Sequence, residues 1–360
     1  MSSISIVVVI GGQFGSEGKG KMTAYLCREF NFDGCVRCGG PNSGHTVTIN
    51  GKQVVLRQIP AGVVNPNTKL FLAAGCLIDL DVLSEEISSF SLAPQRLRID
   101  CNAVIIERKD KQKEKEMGLG ASIGSTCTGT GFAVAKRILR ENDVKLARYI
   151  KELRPYLTCV SEEVMSFHSK GKSLVIEGTQ GFGLSVYHSP YYPYVTSRDT
   201  TAAGFLSEVG ISPFVVSEVI MVIRTFPIRV GGNSGPLPKE INWEIIQQES
   251  GYPYKIQEYT SVTKKLRRVA RFDVELVKRA ISVNKPTKIA LMGLDYLDYR
   301  NKGVKYYKQF TKKASSFIYW LEQELDVEIN FVGTGPLDQE LADRTKNHGV
   351  EIDEKGFGIK

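Results

Sequence analysis

A chain of 360 residues, 42% hydrophobic and 24% charged, has ample material for a full core. Sparse proline and the lack of low-complexity tracts exclude a disordered chain, and the longest apolar run, residues 4–10, is far too short to cross a bilayer. The net charge of +8 is spread along the chain without the aromatic–basic stripe of a nucleic-acid module. Small phosphorylated substrates satisfy this charge equally well, and no direct nucleic-acid or membrane partner is expected. No basic leader or cleavage site is visible, so no signal peptide is expected. The seven scattered cysteines fit a reducing cytoplasm, and the Cys35/Cys38 pair lacks the partners of a zinc site.

In chain order, residues 5–10 form a β-branched run that ends in Gly11-Gly12 and reads as a buried parallel strand. A glycine-rich turn follows, then a helix over about residues 20–30. Residues 46–49 and 53–58 flank Asn50-Gly51, a hairpin signal because both turn residues tolerate positive φ. Short buried strands are expected at 70–74, 174–177, 219–224, 288–291 and 328–332. Helical patterns lie between them at 80–90, 132–141, 273–283 and 310–325. This alternation predicts one α/β domain over residues 1–360. It would have a mostly parallel central sheet flanked by helices, of P-loop NTPase-like type, with helical and hairpin excursions near 102–160 and 229–272.

Two segments carry chemistry. The first is Gly11-Gly12-Gln13-Phe14-Gly15-Ser16-Glu17-Gly18-Lys19-Gly20-Lys21, which leaves a strand and opens a helix. Its glycines let backbone amides approach phosphate, the helix start adds positive dipole, and Lys19 adds charge. Gly20 stands where a Walker A motif has Ser or Thr. The second is Gly39-Gly40-Pro41-Asn42-Ser43-Gly44-His45-Thr46, a histidine in a glycine-rich loop that could steady a transferring oxygen.

Together these segments resemble the adenylosuccinate synthetase pattern GxQxGDEGKGK followed by NAGHT. The likeness continues in order through Ile123-Gly124-Ser125-Thr126, Glu177-Gly178-Thr179-Gln180-Gly181 and Tyr192-Pro193-Tyr194-Val195-Thr196-Ser197. It runs on through Arg229-Val230-Gly231, Val262-Thr263-Lys264-Lys265-Leu266-Arg267-Arg268 and Gly333-Thr334-Gly335-Pro336. The compact length is similar to the archaeal branch. The resemblance implies a two-step ligase: the γ-phosphate moves to O6 of a purine monophosphate, then the amine of L-aspartate displaces it at C6.

The resemblance also assigns residues. Ser16, Lys19, His45 and Gln180 would be catalytic. Gly15, Glu17, Gly18, Gly20, Lys21, Gly44, Thr46, Arg267, Asp295, Gly333, Thr334 and Gly335 would hold nucleotide or phosphate. Asn42, Thr126, Gln180 and Thr196 would hold the monophosphate, with Arg140 reaching it from a second subunit of a homodimer. Val262, Thr263, Lys265 and Arg267 would bind aspartate. Mg²⁺ would sit on the Gly44 carbonyl, with Ser16 as a second ligand.

The departures are informative. Ser16 replaces the family's Asp, which serves as a base and a magnesium ligand; a serine hydroxyl does neither well at neutral pH. The phage branch of the family, the 2-aminoadenylosuccinate synthetases, has a small residue there and uses dGMP, whose C2 amino group adjoins N1. The resemblance to that branch implies dGMP as substrate, on the way to 2-aminoadenine for phage DNA, in host cytoplasm. The alternative is a conventional synthetase acting on IMP with GTP. Met292-Gly293-Leu294-Asp295 keeps the carboxylate that suits guanine but lacks the family's lysine. The resemblance to the phage branch implies ATP or dATP as the phosphate donor, with GTP the alternative.

Overall fold

The structure, a computed structural model, describes residues 6–261 and 264–346. Twelve strands position the site. In chain order they are β1 (Ile6–Gly11), β2 (Gly34–Arg37), β3 (His45–Ile49), β4 (Lys52–Leu56), β5 (Lys69–Leu72) and β6 (Leu97–Asp100). Next come β7 (Leu157–Thr158), β8 (Leu174–Glu177), β9 (Glu218–Arg224), β10 (Lys288–Met292), β11 (Ile329–Gly333) and β12 (Leu341–Asp343). All but β3 and β4 form one ten-stranded sheet in the order β12-β11-β10-β9-β1-β8-β2-β5-β6-β7. Only the β11–β12 edge pair is antiparallel among these ladders.

β1 is central, with Val8 opposite Ile176 on one side and Val219 on the other. Its six residues are all buried, as the unbroken apolar run requires. From β1 the chain first winds toward β2, later returning to lay β8 and β9 on either side of β1. The carboxyl end of β1 is thus a topological switch point, where open α/β sheets bind ligands.

The expected strands and helices form with boundary shifts of one or two residues. The helix after the glycine-rich turn is α1 (Lys19–Glu29), and β3 and β4 pair across Asn50-Gly51. The predicted second hairpin strand ends early, at Leu56, where the backbone amides of Arg57, Gln58 and Ile59 turn to the Glu86 carboxylate. Helices Leu80–Ser89, Val274–Asn284 and Lys312–Leu325 begin at side-chain caps, Asp79, Asp273 and Thr311. Such caps stabilise by about 1 kcal/mol each. α1 has no side-chain cap: Gly18 precedes it in a left-handed conformation, φ 109°. Its first amides are therefore left for another acceptor.

The excursion near 102–160 carries helices Arg108–Glu116 and Thr130–Leu139. The one near 229–272 carries a small antiparallel sheet of Ile228–Arg229, Arg268–Ala270 and Glu240–Ile241. No helix among the described residues is long and apolar enough to cross a membrane.

Candidate active site

A cavity of about 610 Å³ opens at the end of β1. The loop between β1 and α1 forms its middle wall. On one side of the loop Gln180 packs over Gly15; on the other, Gly18 lies beside Met292 and the Lys21 ammonium donates to the Gly335 carbonyl at 2.7 Å. The cavity is therefore long, with a Gln180 end and a Gly335 end.

Glu17 shapes the loop from within. Its buried carboxylate accepts from the amides of Gln13 (3.1 Å) and Gly15 (2.8 Å), and its other oxygen meets the Lys19 ammonium at 2.6 Å. A Cβ on Gly181 would come within 2.3 Å of the same carboxylate, so glycine is needed there for close approach. The sequence reading gave Glu17 a role in holding nucleotide; in this geometry it organises the loop that would. Lys21 likewise ties α1 to the C-terminal segment through the carbonyls of Gly335 and Glu340, both 2.7 Å. Burial lowers the Lys21 ammonium to about 8.

His45 begins β3 and is nearly buried, with its ring on the cavity wall. Nδ1 lies 2.5 Å from Glu177 Oε1 and 2.7 Å from Arg37 Nη1. Both cannot be hydrogen bonds of one protonation state. A carboxylate only accepts, so Nδ1 carries the proton and donates to Glu177; Arg37 instead serves Glu177 Oε2 at 3.3 Å. Ala61 N donates to that same oxygen at 2.9 Å. Burial, helped by the Arg37 charge, lowers His45 to about 4 against the pull of Glu177. Burial pushes Glu177 up, but His45, Arg37 and the Ala61 amide outweigh it and hold the carboxyl at about 2. The imidazole is therefore neutral at pH 7, and its Nε2 is the nitrogen without the proton.

Ser16 sits at the loop tip, exposed, with φ 57°. Two arginines hold it. Arg224 Nη1 donates to its carbonyl at 3.1 Å, and Arg267 donates to its hydroxyl oxygen. Arg224 is paired with Glu258 (2.5 Å), which also accepts from the Tyr296 hydroxyl at 2.9 Å. The Arg267 amide donates to the Glu258 carbonyl at 2.8 Å. Glu258 is thereby the point that ties the chain segment lining the cavity at 254–261 to the phosphate loop. Nothing in the sequence singled out Arg224 or Glu258.

The cavity wall also includes Gly20, Asn42, Gly44, Thr46, Thr126 and Asp295 among the sequence-selected residues. Other selected residues lie elsewhere. Thr196 is in the turn above Leu184, whose carbonyl accepts from its amide. Thr334 is fully buried, its hydroxyl donating to the Val304 carbonyl. Gly333 packs against Met292 behind the wall. Lys265 is exposed, off the cavity wall, and Val262 and Thr263 fall outside the described residues. Arg140 is exposed at the end of helix Thr130–Leu139, beside exposed Ile138 and Leu139. Arg229, from the RVG segment, is buried; it stacks near the rings of Phe14 and Tyr191 and holds the Tyr194 carbonyl, so it shapes the wall from behind.

The adenylosuccinate synthetase family model matches residues 8–146 and 140–302. The chain belongs to the adenylosuccinate synthetase family. Its members are C–N bond-forming ligases, and this chain is one. It is 42% identical over 337 residues to the adenylosuccinate synthetase of Methanocaldococcus jannaschii, covering 92% of this chain and 95% of that one. It is 40% identical over 343 residues to that of Pyrococcus horikoshii, covering 94% and 98%. Among solved structures it resembles a fully ligated adenylosuccinate synthetase from Plasmodium falciparum, with TM-score 0.84, 22% identity and coverage of 94% and 99%; at that identity the likeness speaks to the fold. It also resembles the cyanophage S-2L succinoaminodeoxyadenylate synthetase (PurZ), bound to dGMP and to dATP as an energy donor, with TM-score 0.78, 27% identity and coverage of 94% and 95%.

Family members use Mg²⁺. Gly44 lies on the cavity wall, packed so closely that an added Cβ would meet Ser261 Oγ at 2.5 Å, and its backbone carbonyl is a hard oxygen donor. Mg²⁺ takes few protein ligands and completes its shell with phosphate and water, so this donor fits. Ser16 fits less well, because its oxygen already accepts from the Arg267 cation.

Proposed function

We propose that the protein joins L-aspartate to C6 of dGMP, with ATP or dATP as phosphate donor, giving 2-amino-2′-deoxy-N6-succinyladenylate for 2-aminoadenine DNA. The observation that carries this reading is Ser16. Its hydroxyl oxygen accepts from Arg267 and keeps a second lone pair, which a guanine N1–H or 2-amino group can use. A short, uncharged side chain at the loop tip leaves room for a 2-amino group that a longer Asp would crowd. In the first step guanine N1 gives up its proton, O6 bonds to the donor's γ-phosphorus, and the bond to the β-phosphate breaks with the nucleoside diphosphate leaving. In the second, the aspartate nitrogen bonds to C6, the C6–O bond breaks with phosphate leaving, and the nitrogen gives up a proton.

The chain's own residues supply position and charge. Lys19 and the uncapped amides of α1 face the donor phosphates. Bound Mg²⁺, on the Gly44 carbonyl, would neutralise further phosphate charge. Neutral His45 gains a proton more readily once a phosphoryl group adjoins Nε2, and so becomes a donor to it. Gln180 and Thr126 line the end beside Ser16, where the purine monophosphate would lie with Asn42 on its wall. The protein is read as one domain that works as a homodimer. Arg140 supports this: it lies off the cavity wall of its own chain, on a surface with Ile138 73% and Leu139 68% exposed.

A second reading, IMP with GTP, draws on two observations. The archaeal relatives named adenylosuccinate synthetases are 42% and 40% identical, against 27% for the cyanophage enzyme. By identity alone the conventional reaction is the better supported. Asp295 is also present on the wall, a carboxylate suited to guanine. Turnover decides. The protein with Mg²⁺ and L-aspartate is given dGMP, GMP or IMP, each with ATP, dATP or GTP, and products are separated by chromatography. Succinylated product from dGMP and not IMP is expected, with Ser16→Asp shifting preference toward IMP. Product from IMP alone refutes the dGMP reading.

A further inference from the structure

The Gly335 end of the cavity holds a feature that the proposed reaction has not used. Tyr252, Tyr254, Asp295, Lys302 and Pro336 line it. Asp295 is only 4% exposed, and its Oδ2 accepts a hydrogen bond from the Tyr252 hydroxyl. Tyr252 is itself buried. Its ring is fixed by Tyr299 (4.6 Å between centroids), Tyr254 (5.3 Å) and Tyr296 (5.8 Å), with the Lys302 ammonium 5.9 Å above it. Lys302 is anchored in turn on the Tyr254 hydroxyl at 2.7 Å. The phenol cannot swing away without breaking this cluster, so one carboxylate oxygen is committed before any ligand arrives.

The remaining surface suits a flat base: the half-exposed Tyr254 ring, with the Lys302 ammonium 5.5 Å from its centroid, the Pro336 ring and the second Asp295 oxygen. Guanine presents two adjacent donors, N1–H and the 2-amino group, which pair best with both oxygens of a carboxylate. Adenine presents one donor there, the 6-amino group, beside an acceptor nitrogen. We infer that Tyr252 is a specificity-determining residue: by occupying Asp295 it makes this end of the cavity favour an adenine nucleotide as phosphate donor over a guanine one. The inference rests on the reading that the donor's base lies at this end. It adds a residue and a mechanism to the donor preference proposed above.

The test is Tyr252→Phe, which removes one oxygen and keeps the ring. kcat/KM is measured for ATP and GTP with the purine monophosphate and aspartate saturating. Freeing a charge-assisted acceptor should raise the GTP-to-ATP ratio about ten- to a hundredfold. Adding Asp295→Asn to that variant should abolish the gain, because asparagine sets one oxygen and a donor NH2 where two adjacent guanine donors need two acceptor oxygens. A folded Tyr252→Phe protein with an unchanged ratio overturns the inference, as does a wild type that prefers GTP. If the variant does not fold, calorimetric binding of ADP and GDP to the wild type reads the same selection: ADP should bind more tightly, and equal or tighter GDP overturns it. Failure of the ligase reading looks different, since no donor would then support succinylated product. Tyr254→Ala checks placement: both donor KM values should rise, and if neither moves the base does not lie here and the inference falls.

Discussion

Replacing Glu177 by Gln should destabilise the protein by about 3–5 kcal/mol, the range for removing one member of a buried ion pair. The Glu177 and Arg37 side chains are 0% and 1% exposed, so water cannot take over the lost charge. After the change, the nearest oxygens to Arg37 Nη2 are the carbonyls of Ser43 and Arg57, both at 3.4 Å, and Arg37 Nε already lacks a partner. The amide also sets a donor against the Ala61 amide if its oxygen is to keep His45. Unfolding entropy of about 2.1 cal/mol/K per residue over 360 residues is roughly 0.76 kcal/mol/K. The loss therefore reads as a fall in Tm of about 4–7 °C by calorimetry at pH 7. Adding Arg37→Met should recover part of it, since no buried charge is then left unpaired. A single variant that melts within about 1 °C of wild type would refute the claim that Glu177 compensates Arg37.

Three further outcomes follow from the same geometry. His45 sits at about 4 folded against 6.5 for the free group, so between those values the unfolded chain binds the extra proton. Stability should fall as pH drops from 6.5 to 4, by on the order of 3 kcal/mol; a His45→Asn protein should show a flatter Tm–pH curve over that window. Gly181→Ala drives a methyl within 2.5 Å of Gly15 N and closer still to Glu17. It should cost about 2–3 kcal/mol and raise the donor KM, and wild-type melting and KM would contradict the packing described for the loop. Glu258→Gln leaves the buried Arg224 without its carboxylate partner. With Glu258 one-quarter exposed, a loss of about 1–3 kcal/mol is expected. It should come with a rise in KM for aspartate, read by initial rates.

The sequence showed the scaffold well because its signals are local. An unbroken buried run, a glycine turn and a helical period each lie within a dozen residues, and β1, α1 and the β3–β4 hairpin follow from them. The candidate site was legible where a motif names residue types at fixed spacing: Ser16, Lys19, His45 and Gln180 all line one cavity. It was not legible where function depends on pairings across the fold. Arg224 meets Ser16 across 208 positions, and Tyr252 meets Asp295 across 43. Arg37 reads as an ordinary charged residue until β2 is seen beside β8. Motifs also do not say which way a side chain turns: Glu17, Lys21 and Thr334 lie in phosphate-binding patterns, yet each is spent on internal hydrogen bonds here.

The contact between Lys19 and Glu17 has a further meaning. The ammonium proposed to face the donor phosphates is already paired with a carboxylate of its own loop, 2.6 Å away. A visitor draws it across only by offering more negative charge than that one carboxylate does. Chloride, acetate or the carboxylates of a free amino acid offer no advantage, whereas a polyphosphate does. On the proposed function, the loop would act as a threshold on charge. Because the same carboxylate satisfies the amides of Gln13 and Gly15, the loop stays in shape while it waits, and filling it requires an exchange of one partner rather than the ordering of a segment.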